Sequence, residues 1–178
     1  GSYPITIGLL DPDGKLANYS VTTNNGSLTV TAASLSVAAD NASRSYGATN
    51  PVLGGAITGI QNGEDITATY ASAATAASPV GTYPIIPALV DPEGKLSNYT
   101  VSATDGTLTV TVYALSVTAD NQARTYGAAN PVLTGSLAGL QNGDNITAVD
   151  ATAGETHSPV GSYPITIGLL DPDGKLAN

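Results

Sequence analysis

The chain has 178 residues, of which 11% are charged and 42% hydrophobic, and a formal net charge of -9. That mixture is too apolar for a disordered polymer, yet no apolar run is long enough to cross a membrane as a helix. Five cations, Lys15, Arg44, Lys95, Arg124 and Lys175, are too few for a phosphate-binding surface, which excludes nucleic acid as a natural partner and disfavours anionic membranes.

Cys, Met, Trp and Phe are all missing, so disulfides, thiolate catalysis and Cys-based metal sites are excluded. Apolar burial falls to Val, Leu, Ile, Ala and nine Tyr, residues that suit pleated, half-buried surfaces. Twenty Gly and eleven Pro supply turns between short strands.

In chain order, the first segment, GSYPITIGLLDPDGKLAN at Gly1–Asn18, returns unchanged at Gly161–Asn178 and altered at Gly81–Asn98. Displaced by 80 residues, the chain overlays itself without a gap, and 56 of the 98 overlaid positions are identical. Eighty residues exceeds the usual solenoid period and matches a small autonomous domain. The join around Thr31–Ala33, between two alternating runs, sets the frame. Residues 1–32 read as the C-terminal part of one repeat domain, 33–112 as a complete repeat domain, and 113–178 as a repeat domain lacking its last strands. No signal peptide is present, but the chain opens inside a repeat, so this carries no information on export.

Within residues 33–112, alternation and turn residues predict strands at Ser34–Ala39, Arg44–Tyr46, Val52–Thr58, Thr67–Ser72, Gly81–Ile86, Tyr99–Ala103 and Thr107–Thr111. Turns are expected over Gly59–Asp65, Ser78–Gly81 and Asp91–Gly94, and a tight Asp-Gly hairpin at Thr104–Thr107. No long period of 3.6 residues calls for a helix. The fold class is mostly β: tandem small antiparallel domains, each a sandwich or partly open barrel.

The segments RTYGAANPVLTGSLAGLQNGD (Arg124–Asp144), SPVGSYPI (Ser158–Ile165) and NYSVTTNNGSLTV (Asn18–Val30) together resemble the YGX-type MBG domain. The resemblance covers nearly the whole chain, with one departure at Gly63–Asp65, where a Glu interrupts the usual Gly-Asp. It implies a repeat module of a large bacterial surface or adhesin-like protein, outside the cell, with an Ig-like or β-grasp-like topology and no catalytic residues to carry over.

The candidate site residues are few. Asp11 and Asp13, Asp91 and Glu93, Asp171 and Asp173 pair carboxylates beside a Gly, which can begin a calcium loop, but the full ligand pattern is missing and a β-turn accounts for the motif. Arg44 and Arg124 read as structural, and Tyr46, Tyr83, Tyr99, Tyr126 and Tyr163 as core. His157 is the lone His, so neither a triad nor a His metal site can be built, and no nucleotide or hydrolase fingerprint occurs; no enzyme is expected.

Two readings of the frame stay open. The chain is a window on a longer array, or Tyr19, Val21, Leu28 and Val30 form a strand donated to the incomplete unit of the next molecule. Either way, the expected function is an elongated stalk or filament whose partners are neighbouring repeats. The alternative is an adhesin module binding glycan or host protein through exposed Tyr.

Overall fold

The computed structural model describes residues 1–178. It is mostly β, with thirteen strands and three short 3-10 turns, and no helix is long and apolar enough to cross a membrane. Residues 1–32 form one isolated ribbon, β1 (Ser2–Ile5) antiparallel to β2 (Gly26–Thr29), exposed throughout. The central unit contains β3 (Ala33–Ala39), β4 (Ala42–Ser45), β5 (Gly55–Thr58), β6 (Thr67–Ala71), β7 (Gly81–Val90), β8 (Tyr99–Thr104) and β9 (Gly106–Thr111). The C-terminal unit contains β10 (Ser116–Ala119), β11 (Gly135–Ala138), β12 (Thr147–Thr152) and β13 (Ile165–Leu170).

In the central unit the strands make two sheets, ordered β5-β3-β8 and β4-β9-β7-β6. Their inner faces enclose two apolar clusters. One joins Leu35, Ile66 and Tyr99, with Ile57 and Leu89 packed against it. The other joins Ala74, Ile85 and Leu108, with Leu53 and Tyr70 alongside. Alternation explains the choice: Leu35 and Val37 point inward on β3, and Leu108 and Val110 on β9, while the intervening Ser and Thr face out.

Two ladders are parallel. β3 pairs with β8, Ala33 opposite Tyr99, and β4 pairs with β9, Ala42 opposite Leu108. The Asp-Gly hairpin expected at Thr104–Thr107 does not form, because β8 and β9 lie in different sheets. Asp105–Gly106 is instead a corner at which the chain crosses from one sheet to the other. Gly106 is needed there by close approach: a Cβ would run into the backbone carbonyl of Asp40. Gly81–Ile86 also extends further than its residues suggest, to Val90. β7 pairs with β9 over Gly81–Ile85 and with β6 over Ile86–Val90, so each half leaves one edge free. A free edge is where Pro84 and Pro87, which have no N–H, can be accommodated. The Val52–Thr58 strand shortens to β5, and the Arg44–Tyr46 strand shifts back to β4.

Candidate functional site

Two places in the molecule bring side chains together for more than local packing: the joint between the central and C-terminal units, and a groove in the C-terminal unit.

Only residues 112–115 separate β9 from β10, and the two units touch directly. The Tyr46 hydroxyl donates to Asp144 Oδ1 at 3.1 Å, and Asn142 Nδ2 donates to the Ala76 carbonyl at 3.3 Å. Asn178 ties both sides, its carbonyl accepting from Tyr113 N at 2.8 Å and its side chain from Val80 N at 3.0 Å. Gly47 sits at φ +83° with the Gln141 side chain so close that a Cβ would collide with it. Tyr46 is 3% exposed in this setting, and what free space the joint holds is a cavity of about 40 Å³. The Gln141–Asp144 side of the joint stands on a tight turn, Asn142 and Gly143 both at positive φ, the chemistry that Gln-Asn-Gly supplies.

The same turn in the central unit behaves differently. Glu64, the residue interposed in the motif, faces inward and accepts the Tyr99 hydroxyl at 2.5 Å, while that hydroxyl accepts Gln61 N at 2.8 Å. The bond to Glu64 pushes the Tyr99 phenol above its usual range, with desolvation adding to it. Asp144 aligns with Glu64 and instead reaches across the joint.

The groove has a volume of about 790 Å³ and is lined on one side by Gln122–Thr125 and on the other by Gly161–Ile165, with Leu133 and Tyr126. In the central unit the equivalent residues are β4 and the front half of β7, and β9 lies between them, hydrogen-bonded to both. Tyr126 is 67% exposed and Tyr163 39%, against the expectation that both are core. Tyr99 and Tyr46 are buried as expected, and Tyr83 is half-buried against Ala74 and Ile85.

Arg44 is buried and structural, as its residue pattern suggests. It donates to Asn50 Oδ1 at 2.7 Å, to the Ser45 carbonyl at 3.1 Å and to the Thr75 carbonyl, and Asn50 in turn donates to the Ala74 carbonyl. Arg124 repeats these bonds with Asn130, Thr125 and Glu155 while only half-buried. The Arg-Asn pair six residues apart is a signal that sequence reasoning missed; it was visible as the two Asn-Pro motifs.

The paired carboxylates are turn caps. Asp11 and Asp171 each accept backbone N–H groups with both oxygens, from Lys15 and Leu16 and from Lys175 and Leu176, and Asp91 accepts Leu96 N at 2.8 Å. These bonds hold the Asp91 and Asp171 carboxyls below the usual carboxylate range, the Leu96 and Leu176 amides being the largest contributors. Asp13, Glu93 and Asp173 point to solvent, and no group of three or more His, Cys, Asp and Glu side chains converges. Tyr19, Val21, Leu28 and Val30 are all exposed; Leu28 lies in β2, while Tyr19 and Val21 lie outside any strand.

A family model described as MBG domain (YGX type) matches residues 35–109 and again 115–174. No curated protein and no solved structure matches the chain.

Proposed function

Because the chain belongs to the family of YGX-type MBG domains, we propose that it is a mechanical, non-enzymatic stalk or filament module, exported to a bacterial cell surface. A surface-protein repeat module is what the family suggests. The joint is the single observation that carries the stalk reading. The residues of both halves recur in the alignment: Tyr126–Gly127 matches Tyr46–Gly47, and Gln61–Glu64 matches Gln141–Asp144, although Glu64 accepts the central unit's own Tyr99. Such a contact is head-to-tail, the kind that can be repeated along a tandem array. A linker of a few residues, clamped by side chains on both sides, restricts bending far more than a flexible tether does. Small-angle scattering of chains with two, four and six repeats tests this: the maximum dimension should rise by a constant step per repeat, and growth as a compact globule would refute it.

The groove gives the reading its second part: a second copy of the chain supplies the missing strand. Tyr19, Val21, Leu28 and Val30 are the same residue types as Tyr99, Val101, Leu108 and Val110, and Leu108 and Val110 are fully buried in the central unit. Strand addition to an open edge draws affinity from main-chain bonds and specificity from the alternate side chains. The 178-residue chain should therefore form concentration-dependent polymers in sedimentation, and Leu28→Asp with Val30→Asp should abolish them. A chain that stays monomeric at high concentration counts against strand exchange and leaves the joint intact.

A further inference from the structure

We infer that the central unit is a shear clamp that carries tension along the array; this rests on the stalk reading above. The first and last strands of the unit form one bent parallel ribbon. Six residue pairs join β3 to β8, from Ala33–Tyr99 to Ala38–Thr104. Four pairs then join β4 to β9, from Ala42–Leu108 to Ser45–Thr111. The register is unchanged across the corner, so both runs turn together from one sheet into the other. Asn41 Oδ1 accepts Thr107 N at 2.8 Å at that corner, and Gly106 lets the two backbones touch there. Beyond the last pair, Tyr46 N donates to the Thr111 carbonyl at 2.8 Å.

The geometry decides how force is shared. The preceding residues join the unit at Ala33, where the ribbon starts, and the next unit joins after Thr111, where it ends. In a parallel ribbon these two pulls act in opposite directions along the same axis. They slide the strands past one another and stress every bond of both ladders at once. An antiparallel pair pulled from its open end instead parts one bond at a time. The ribbon is also rooted in the core. Of the five largest fully buried side chains, Leu35 and Val37 lie on its first strand and Leu108 and Val110 on its last. Sliding must drag these out of the interior, which adds their burial to the barrier.

The test is single-molecule pulling on the full chain from two directions. Since the chain has no Cys, handles can be placed uniquely. Ser34→Cys with Val112→Cys loads the ribbon in shear, and Thr67→Cys with Val90→Cys unzips β6 from β7; all four positions are exposed. Because forced rupture is governed by the unfolding barrier along the pulled path, the first pair should need about twice the force or more at equal loading rate. Equal or lower force between 34 and 112 would overturn the clamp, whether or not the array is a rod. Adding Asn41→Ala should weaken the 34/112 direction alone; an unchanged force there removes the corner from the clamp.

Discussion

The central and C-terminal units share most of their residues and use them differently. Residues 42–45 form β4, while the aligned 122–125 form no strand; β7 runs for ten residues, and its counterpart β13 for six. Ile85 is fully buried and the aligned Ile165 half-buried; Arg44 is buried and Arg124 half-buried. What separates them is β9. The strands that fail in the C-terminal unit are the two that β9 hydrogen-bonds to in the central one. Local propensity sufficed for β10 to β13, each with an antiparallel neighbour. It did not suffice for the counterparts of the segments that β9 pairs with, Ala42–Ser45 and Gly81–Ile85, since an edge without a partner leaves its backbone groups to water.

The largest test of this contrast is Leu108→Ala. Leu108 is fully enclosed with Ile85 and Ala74, so its truncation should cost the central unit about 2–5 kcal/mol in urea unfolding. Leu28→Ala, at the aligned but exposed position, should change the dilute chain by less than about 0.5 kcal/mol. Equal losses would mean that residues 1–32 are packed as tightly as the central unit.

Next is the arginine pair. Arg44→Ala leaves Asn50 and the Thr75 carbonyl without their buried partner and should cost about 1–3 kcal/mol. Arg124→Ala removes the same bonds at a half-buried position that water reaches and should cost less, about 1 kcal/mol or below, by the same measurement.

The smallest effect is one in which the units should agree. Asp91 and Asp171 cap the same turn, and both have folded-state pKa values below the ordinary carboxylate value. A depressed carboxyl pKa adds stability that is present above the unfolded pKa, near 4, and is lost as pH falls through the folded one. Acid titration of stability should therefore turn down below about pH 4, and Asp91→Asn or Asp171→Asn should each flatten that slope by a similar amount. A flattening from one and not the other would show that the turns are held differently.

Part of the fold was legible because it is written locally. The Gln-Asn-Gly turns, the Asp-Pro caps and the alternating Leu35–Val37 and Leu108–Val110 runs each declare themselves within a few residues. The joint was half legible: the short link showed, but not that Tyr46, read as plain core, would spend its hydroxyl on Asp144. The departure at Glu64 showed as an irregular letter, and its bond to Tyr99 did not.

From the sequence alone follow the period of 80, the mostly-β class, the faces that Leu, Ile and Val present, and the family to which the motifs belong. Alternation decides which side of a strand is buried, and turn residues decide where it stops. Neither names the strand's neighbour. That β3 and β4 lie parallel to β8 and β9, and that Asp105–Gly106 turns a corner instead of closing a hairpin, was decided only in three dimensions. There two apolar clusters on opposite sides of the corner, one around Tyr99 and one around Leu108, could be filled together only by splitting that last segment between two sheets.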